Sequence, residues 1–139
     1  MSIGRTDAPK RLVVAGVLSG APSTLHALVR GGDVLAATRA AGTLVPGRRE
    51  RPSALAGAAV HLVLTAWWST VLGAVVRRVG GGVGTGIIGG AAIAALDLGV
   101  VARRYPAIRA LPQGPQWADH LLFGAVVGRL AGCRSTTSR

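Results

Sequence analysis

Four long stretches of the chain carry almost no formal charge, and short arginine-bearing segments separate them. The stretches cover residues 12–29, 54–76, 80–102 and 115–132. A helix crossing a bilayer needs about 20 mostly apolar residues, at a rise of about 1.5 Å each. The second and third stretches meet that length with one ionisable group apiece, His61 and Asp97. The first is marginal, because Ser19, Pro22, Ser23, Thr24 and His26 interrupt it, and its basic start also fits a signal peptide. The fourth opens on Asp119 and His120 and closes near Arg129, whose long side chain can snorkel to the interface. The pattern predicts an all-α fold, a four-helix transmembrane bundle forming a single integral membrane domain over 1–139. The lipid bilayer is its first partner.

Small residues recur on these segments at a spacing of four. Gly16 and Gly20 do so in the first, Gly82, Gly86 and Gly90 in the third, and Gly124, Gly128 and Gly132 in the fourth. Apolar surface gives helices no reason to associate inside lipid, so they associate through close packing, which small residues permit. The glycines are therefore expected to be helix-packing faces. Gly84, Gly86 and Gly89 also spell G-x-G-x-x-G, the fingerprint of a dinucleotide site. That site needs a strand before the glycines, a second strand after the helix and an acid about 20 residues on. Here "VVRRVGG" precedes them, Asp97 follows too soon and no strand pattern succeeds it, so no dinucleotide is expected.

Shifting the chain by 70 residues lays "AGVLSGAPSTLHAL" over "TGIIGGAAIAALDL", with Gly16 on Gly86, Gly20 on Gly90 and Leu28 on Leu98. The register continues to Arg39 on Arg109; after a loop shorter by 11 residues, His61 falls on His120. The recurrence predicts a duplicated two-helix hairpin, with halves 12–76 and 80–132, and argues that the first segment is a span rather than a leader. Each half brings two spans, so both enter the membrane in the same sense. Between the spans, "GDVLAATRAAGTLV" suits a short interfacial helix with Asp33 as its N-cap, and "YPAIRALP" a shorter counterpart.

The net charge of +11 changes this picture little. Nucleic-acid binding would spread basic residues over one face; here they sit in clusters between uncharged runs, so no nucleic acid is expected. Arg48, Arg49 and Arg51 form the densest cluster and can attract anionic lipids or set topology. Lysines and arginines divide evenly between the two sides of a four-span arrangement. The basic start before the first segment then favours both termini in the cytoplasm, with the chain in the cell membrane. Cys133, the only cysteine, permits neither an intrachain disulfide nor a cysteine metal cage.

Laid side by side in alternating direction, the segments bring His26, His61, Asp97, Asp119 and His120 to similar depth, toward the side opposite the termini. Helical spacing places them on the small-residue faces, so they are expected to form an interior polar cluster, with His120 and His61 as partners of Asp97. Such groups can ligate metals or carry protons. Their position one or two turns from the interface fits a structural network, and no metal or cofactor is expected.

"LSGAPSTLHAL", "LAATRAAGTL", "AALDLG" and "YPAIRALP" followed by "QWADH" resemble a group of small actinobacterial integral membrane proteins with the same order of segments. The resemblance covers roughly 13–130 and implies a multi-pass membrane protein. It brings no activity or catalytic residue with it. The sequence also lacks a P-loop, a thiolate site and a Ser-His-Asp arrangement on separate loops, so no enzyme is expected. The expected role is a structural or accessory membrane component. The alternative is a small transporter or proton-coupled permease, forming a homo-oligomer because four short helices enclose little volume.

Overall fold

The computed structural model describes residues 14–133, and within them every regular element is helical. Helix α1 covers Val14–Val29 with a turn at Gly20. Helix α2, Ala36–Ala41, runs into a 3₁₀ turn, Gly42–Leu44. Then come α3, Ala54–Val79, and α4, Gly82–Gly99, which continues as a 3₁₀ turn over Val101–Arg104. The short α5, Pro106–Arg109, and α6, Gln113–Gly132, complete the chain. Residues 12 and 13 of the first expected segment, and Arg5, Lys10, Arg11, Arg134 and Arg139 of the charge count, lie outside the described residues.

The boundaries follow local chemistry. Ser53 caps α3, its hydroxyl accepting from the Ala56 N–H at 3.3 Å. Helix α3 passes the expected end at residue 76 and continues through Arg77 and Arg78, because nothing opposes helix until Gly80. Gly80, Gly81 and Gly82 have φ of +83°, +76° and +50°, values that side-chain-bearing residues rarely adopt. The first three glycines of the run thus form the hairpin between α3 and α4, and α4 starts two residues later than expected. Helix α1 closes in a Schellman motif around Gly31 at φ +64°, with Gly32 N–H on Ala27 O and Gly31 N–H on Leu28 O.

Length and apolar composition single out two helices able to cross a membrane: α3, and α4 with its 3₁₀ extension. Helix α1 is shorter, while α6 carries Gln113, Gln116, Asp119, His120 and Arg129. Only 17% of the apolar window of α3 and 28% of that of α4 are buried. A core helix of a water-soluble domain is mostly covered by its neighbours, whereas Leu62 and Trp67 on α3 and Ile88 on α4 are 73%, 62% and 73% exposed.

What is buried comes from all four longer helices. Ala15 of α1, Leu72 and Val76 of α3, Ile93 of α4, and Phe123, Val127 and Ala131 of α6 form one core, with Trp68 packed against it. The most extensive pairing is α4 with α6, and α6 also touches α1 and α3.

The loop helix α2 packs on the start of α3. A Cβ on Gly57 would collide with the Thr38 carbonyl, and one on Gly42 with the Ser53 carbonyl, so two glycines outside the predicted stripes set this approach. Asp33 stands ahead of the cap position, which Leu35 occupies. It makes an Asx turn instead, accepting from Leu35 N–H at 2.9 Å while pairing with Arg39. Arg39 and the Leu35 N–H both favour the ionised carboxyl, which lowers the Asp33 pKa from its ordinary value. A folded pKa below the unfolded one means that any stabilisation is complete above the unfolded value and is lost as pH falls through the folded one. A carboxyl NMR titration should therefore find the Asp33 midpoint below that of an ordinary aspartate, and Arg39→Gln should move it upward.

Candidate functional site

The glycine faces of α4 and α6 meet backbone to backbone. A Cβ on Gly86 would strike the Gly124 carbonyl and lie 2.8 Å from Gly128 Cα; one on Gly124 would strike the Gly86 carbonyl and lie 3.0 Å from Gly90 Cα. Gly90 faces the His120 carbonyl and Gly124 Cα, while Gly128 faces Gly82, with 2.5 Å from its Cβ position to that carbonyl oxygen. Carbonyl oxygens held against Cα–H groups make weak hydrogen bonds that support such contacts. Gly89, off the stripe, accommodates the Leu72 side chain of α3. Gly16 and Gly20 behave differently. A Cβ on Gly16 would make an ordinary 3.6 Å contact with Thr65 Cγ2, and one on Gly20 would meet nothing within 4 Å. Under the internal register, Gly16 against Thr65 occupies the positions of Gly86 against Gly124.

This glycine seam leads directly to the polar groups. His120 precedes Gly124 by one turn on α6, and its Nε2 lies 3.2 Å from Asp97 Oδ2 on α4. Its Nδ1 lies 2.8 Å from the Gln116 carbonyl. A neutral imidazole carries one N–H, so a single tautomer donates to only one of these oxygens, whereas the imidazolium donates to both.

Asp119 serves a different helix. Pro22 has no N–H, and its ring conflicts with the carbonyl four residues back, which accounts for the turn at Gly20 in the middle of α1. The second part of the helix, Ala21–Val29, has no side-chain cap of its own. Ser23 donates its backbone N–H to Asp119 Oδ1 at 2.9 Å, so α6 supplies the acceptor that α1 lacks. The carboxylate also sits at the positive end of that short helix.

Four of the five expected residues, His61, Asp97, Asp119 and His120, are electrostatic neighbours, but their direct hydrogen bonds divide between two helices. Asp97 pairs with His120 and Asp119 with Ser23, and these two arrangements start from neighbouring residues of α6. His61 does not partner Asp97. Helix α3 packs more extensively on α6 than on α4, so the charged neighbours of His61 are Asp119 and His120, and the residue as a whole is exposed. His26 lines a shallow groove with Ser23, Asp33 and Gln116, and its imidazole makes no hydrogen bond among the described residues. No three His, Cys, Asp or Glu side chains among the described residues converge closely enough to hold a metal ion. The sequence reading missed the Ser23 amide and the Gln116 carbonyl. Pro22 just after Gly20, with no Ser, Thr, Asp or Asn positioned to cap the new turn, was the available signal for the first.

The arginines of the two connecting loops also meet. Arg49 donates from Nε to the Arg104 carbonyl at 2.7 Å, and its guanidinium stands 5.7 Å from the centre of the Tyr105 ring.

No protein-family model, curated protein or solved structure matches this chain.

Proposed function

We propose that the protein is a multi-pass integral membrane component with a structural or accessory role, built as a four-helix bundle from two similar hairpins. The membrane part of this reading rests on α3 and α4, long, apolar and mostly uncovered. The bundle part is supported by the shared core and by the way the less apolar helices are held: α6 by the glycine seam, and α1 by Asp119. The observation that carries the role is how the carboxylates are used. Asp97 and Asp119 each bind a neighbouring helix, an arrangement suited to fixing helices rather than to receiving a solute. Gly16 against Thr65, in register with Gly86 against Gly124, supports the duplicated hairpin.

Two measurements test this reading. Alkaline carbonate extraction of membranes from cells making the full chain should leave it in the pellet, and recovery in the supernatant overturns membrane integration. In proteoliposomes bearing a pH gradient, wild type and Asp97→Asn should leave the gradient equally intact, while Asp97→Asn unfolds at lower temperature in detergent. A gradient dissipated by wild type and preserved by a well-folded Asp97→Asn would instead establish the proton-coupled permease, for which His61 beside Asp119 and His120 is the favouring feature.

A further inference from the structure

The loops joining α2 to α3 and α4 to α5 stand far apart in sequence, yet the structure locks them together. The segment after Gly42–Leu44 folds as two consecutive turns, with Arg48 N–H on Val45 O and Arg51 N–H on Arg48 O. Arg49 bridges from it to the Arg104 carbonyl and to the face of Tyr105. Arg48, Arg49 and Arg51 are thereby joined by Arg103 and Arg104, five arginines at one end of the molecule, all exposed. Glu50 is the one acid within these two segments. Asp33, on the preceding loop, is occupied by Arg39.

We infer that this two-loop arginine patch binds the phosphate groups of anionic phospholipids at the membrane surface, an inference that rests on the membrane reading above. The patch adjoins the N-terminus of α3 and the C-terminal end of α4, the two helices long enough to cross, which is the level of lipid headgroups. Guanidinium groups present donors in a planar fork that matches phosphate oxygens, and Arg carries its charge at any physiological pH. Anchoring through Arg49 holds the two loops together in advance, so both arginine groups face the same headgroup layer. Helix α3 ends at the other face with Arg77 and Arg78, a built-in comparison of two arginines on a single helix end.

The test reconstitutes the full chain in vesicles mixing phosphatidylcholine with phosphatidylglycerol, one of the two brominated in its tails, and reads tryptophan quenching as relative lipid affinity. Wild type should prefer phosphatidylglycerol. Replacing Arg48, Arg51 and Arg103 together by Gln, which leaves the Arg49 bridge intact, should lower that preference by up to about fivefold per arginine, in line with about 1 kcal/mol per basic residue near a charged surface. The double variant Arg77→Gln with Arg78→Gln should change it less, and molar salt should reduce the wild-type preference. Equal quenching by both lipids in wild type, or a triple variant with undiminished preference, overturns the proposal. So does preference lost equally in both variants, which would mark a response to net charge rather than to the patch. Soluble glycerophosphate competing as well as vesicle lipid would also overturn it, by assigning the patch to free phosphate. Carbonate extraction of each variant separates failure of this patch from failure of membrane integration.

Discussion

Gly124→Val is expected to lower the unfolding temperature of the detergent-purified protein strongly. The reason is the identity of the obstructing atoms. The added Cβ meets the Gly86 carbonyl and Gly90 Cα, the second at 3.0 Å, and both are main-chain atoms of a helix. No rotamer change relieves such a clash, so α4 and α6 must move apart, opening the seam from Gly82 and Gly132 at one end to Gly90 and His120 at the other. Overfilling a well-packed site commonly costs about 1–3 kcal/mol. Gly124→Ala is expected near the top of that range and Gly124→Val beyond it. Gly84→Ala is the control: it lies on the partner helix α4, in the same glycine run as Gly86 and Gly90, but its added Cβ meets nothing within 4 Å. Alanine favours helix over glycine by about 1 kcal/mol, so that variant should be neutral or slightly more stable. Equal unfolding temperatures for Gly124→Val and wild type would show that the helices do not touch here.

Asp119→Ala is expected to follow, through a separate mechanism. It leaves the part-buried Ser23 N–H without its acceptor at the break in α1, and the about 1–3 kcal/mol that a fully buried unsatisfied donor costs is the upper bound. Asp119→Asn retains a carbonyl oxygen that can accept the same hydrogen bond, so it should recover much of the loss and forfeit only the charge at the helix end. The order wild type, Asn, Ala in unfolding temperature is the signature of a hydrogen-bond acceptor. The second readout is local: amide exchange at Ser23 and Thr24 should accelerate in Asp119→Ala while exchange in the middle of α4 changes little. Unchanged exchange at Ser23 would place the Asp119 interaction elsewhere.

Much of the helical framework was legible in the pattern of uncharged runs, because a stretch as apolar as that of α3 leaves few alternatives. Its ends were less legible. Only the backbone shows that Gly80 and Gly81 belong to the turn while Gly86 and Gly90 belong to a contact face, since all four read alike in sequence. The spacing of four identified the α4 and α6 glycines as candidates for close approach, but the same rule applied to Gly20 found a helix break. Gly42 and Gly57 obey no spacing rule, because they lie on two different elements whose meeting is a tertiary event. Asp97 and His120 were placed at similar depth by counting residues along alternating helices. That count could not divide the polar groups into two interhelical links, because the division depends on how far α3 leans toward α6, which no single segment encodes.

The seam between α4 and α6 also bears on how such a chain enters a bilayer. On the bundle reading, α6 is too polar to partition readily on its own, and its glycine face offers lipid a strip of bare main chain. Helix α4, already inserted as half of a tight hairpin with α3, exposes the matching strip until α6 arrives. On that reading biogenesis becomes a matter of order, with the apolar hairpin in place first and acting as an internal chaperone for the helix that follows it.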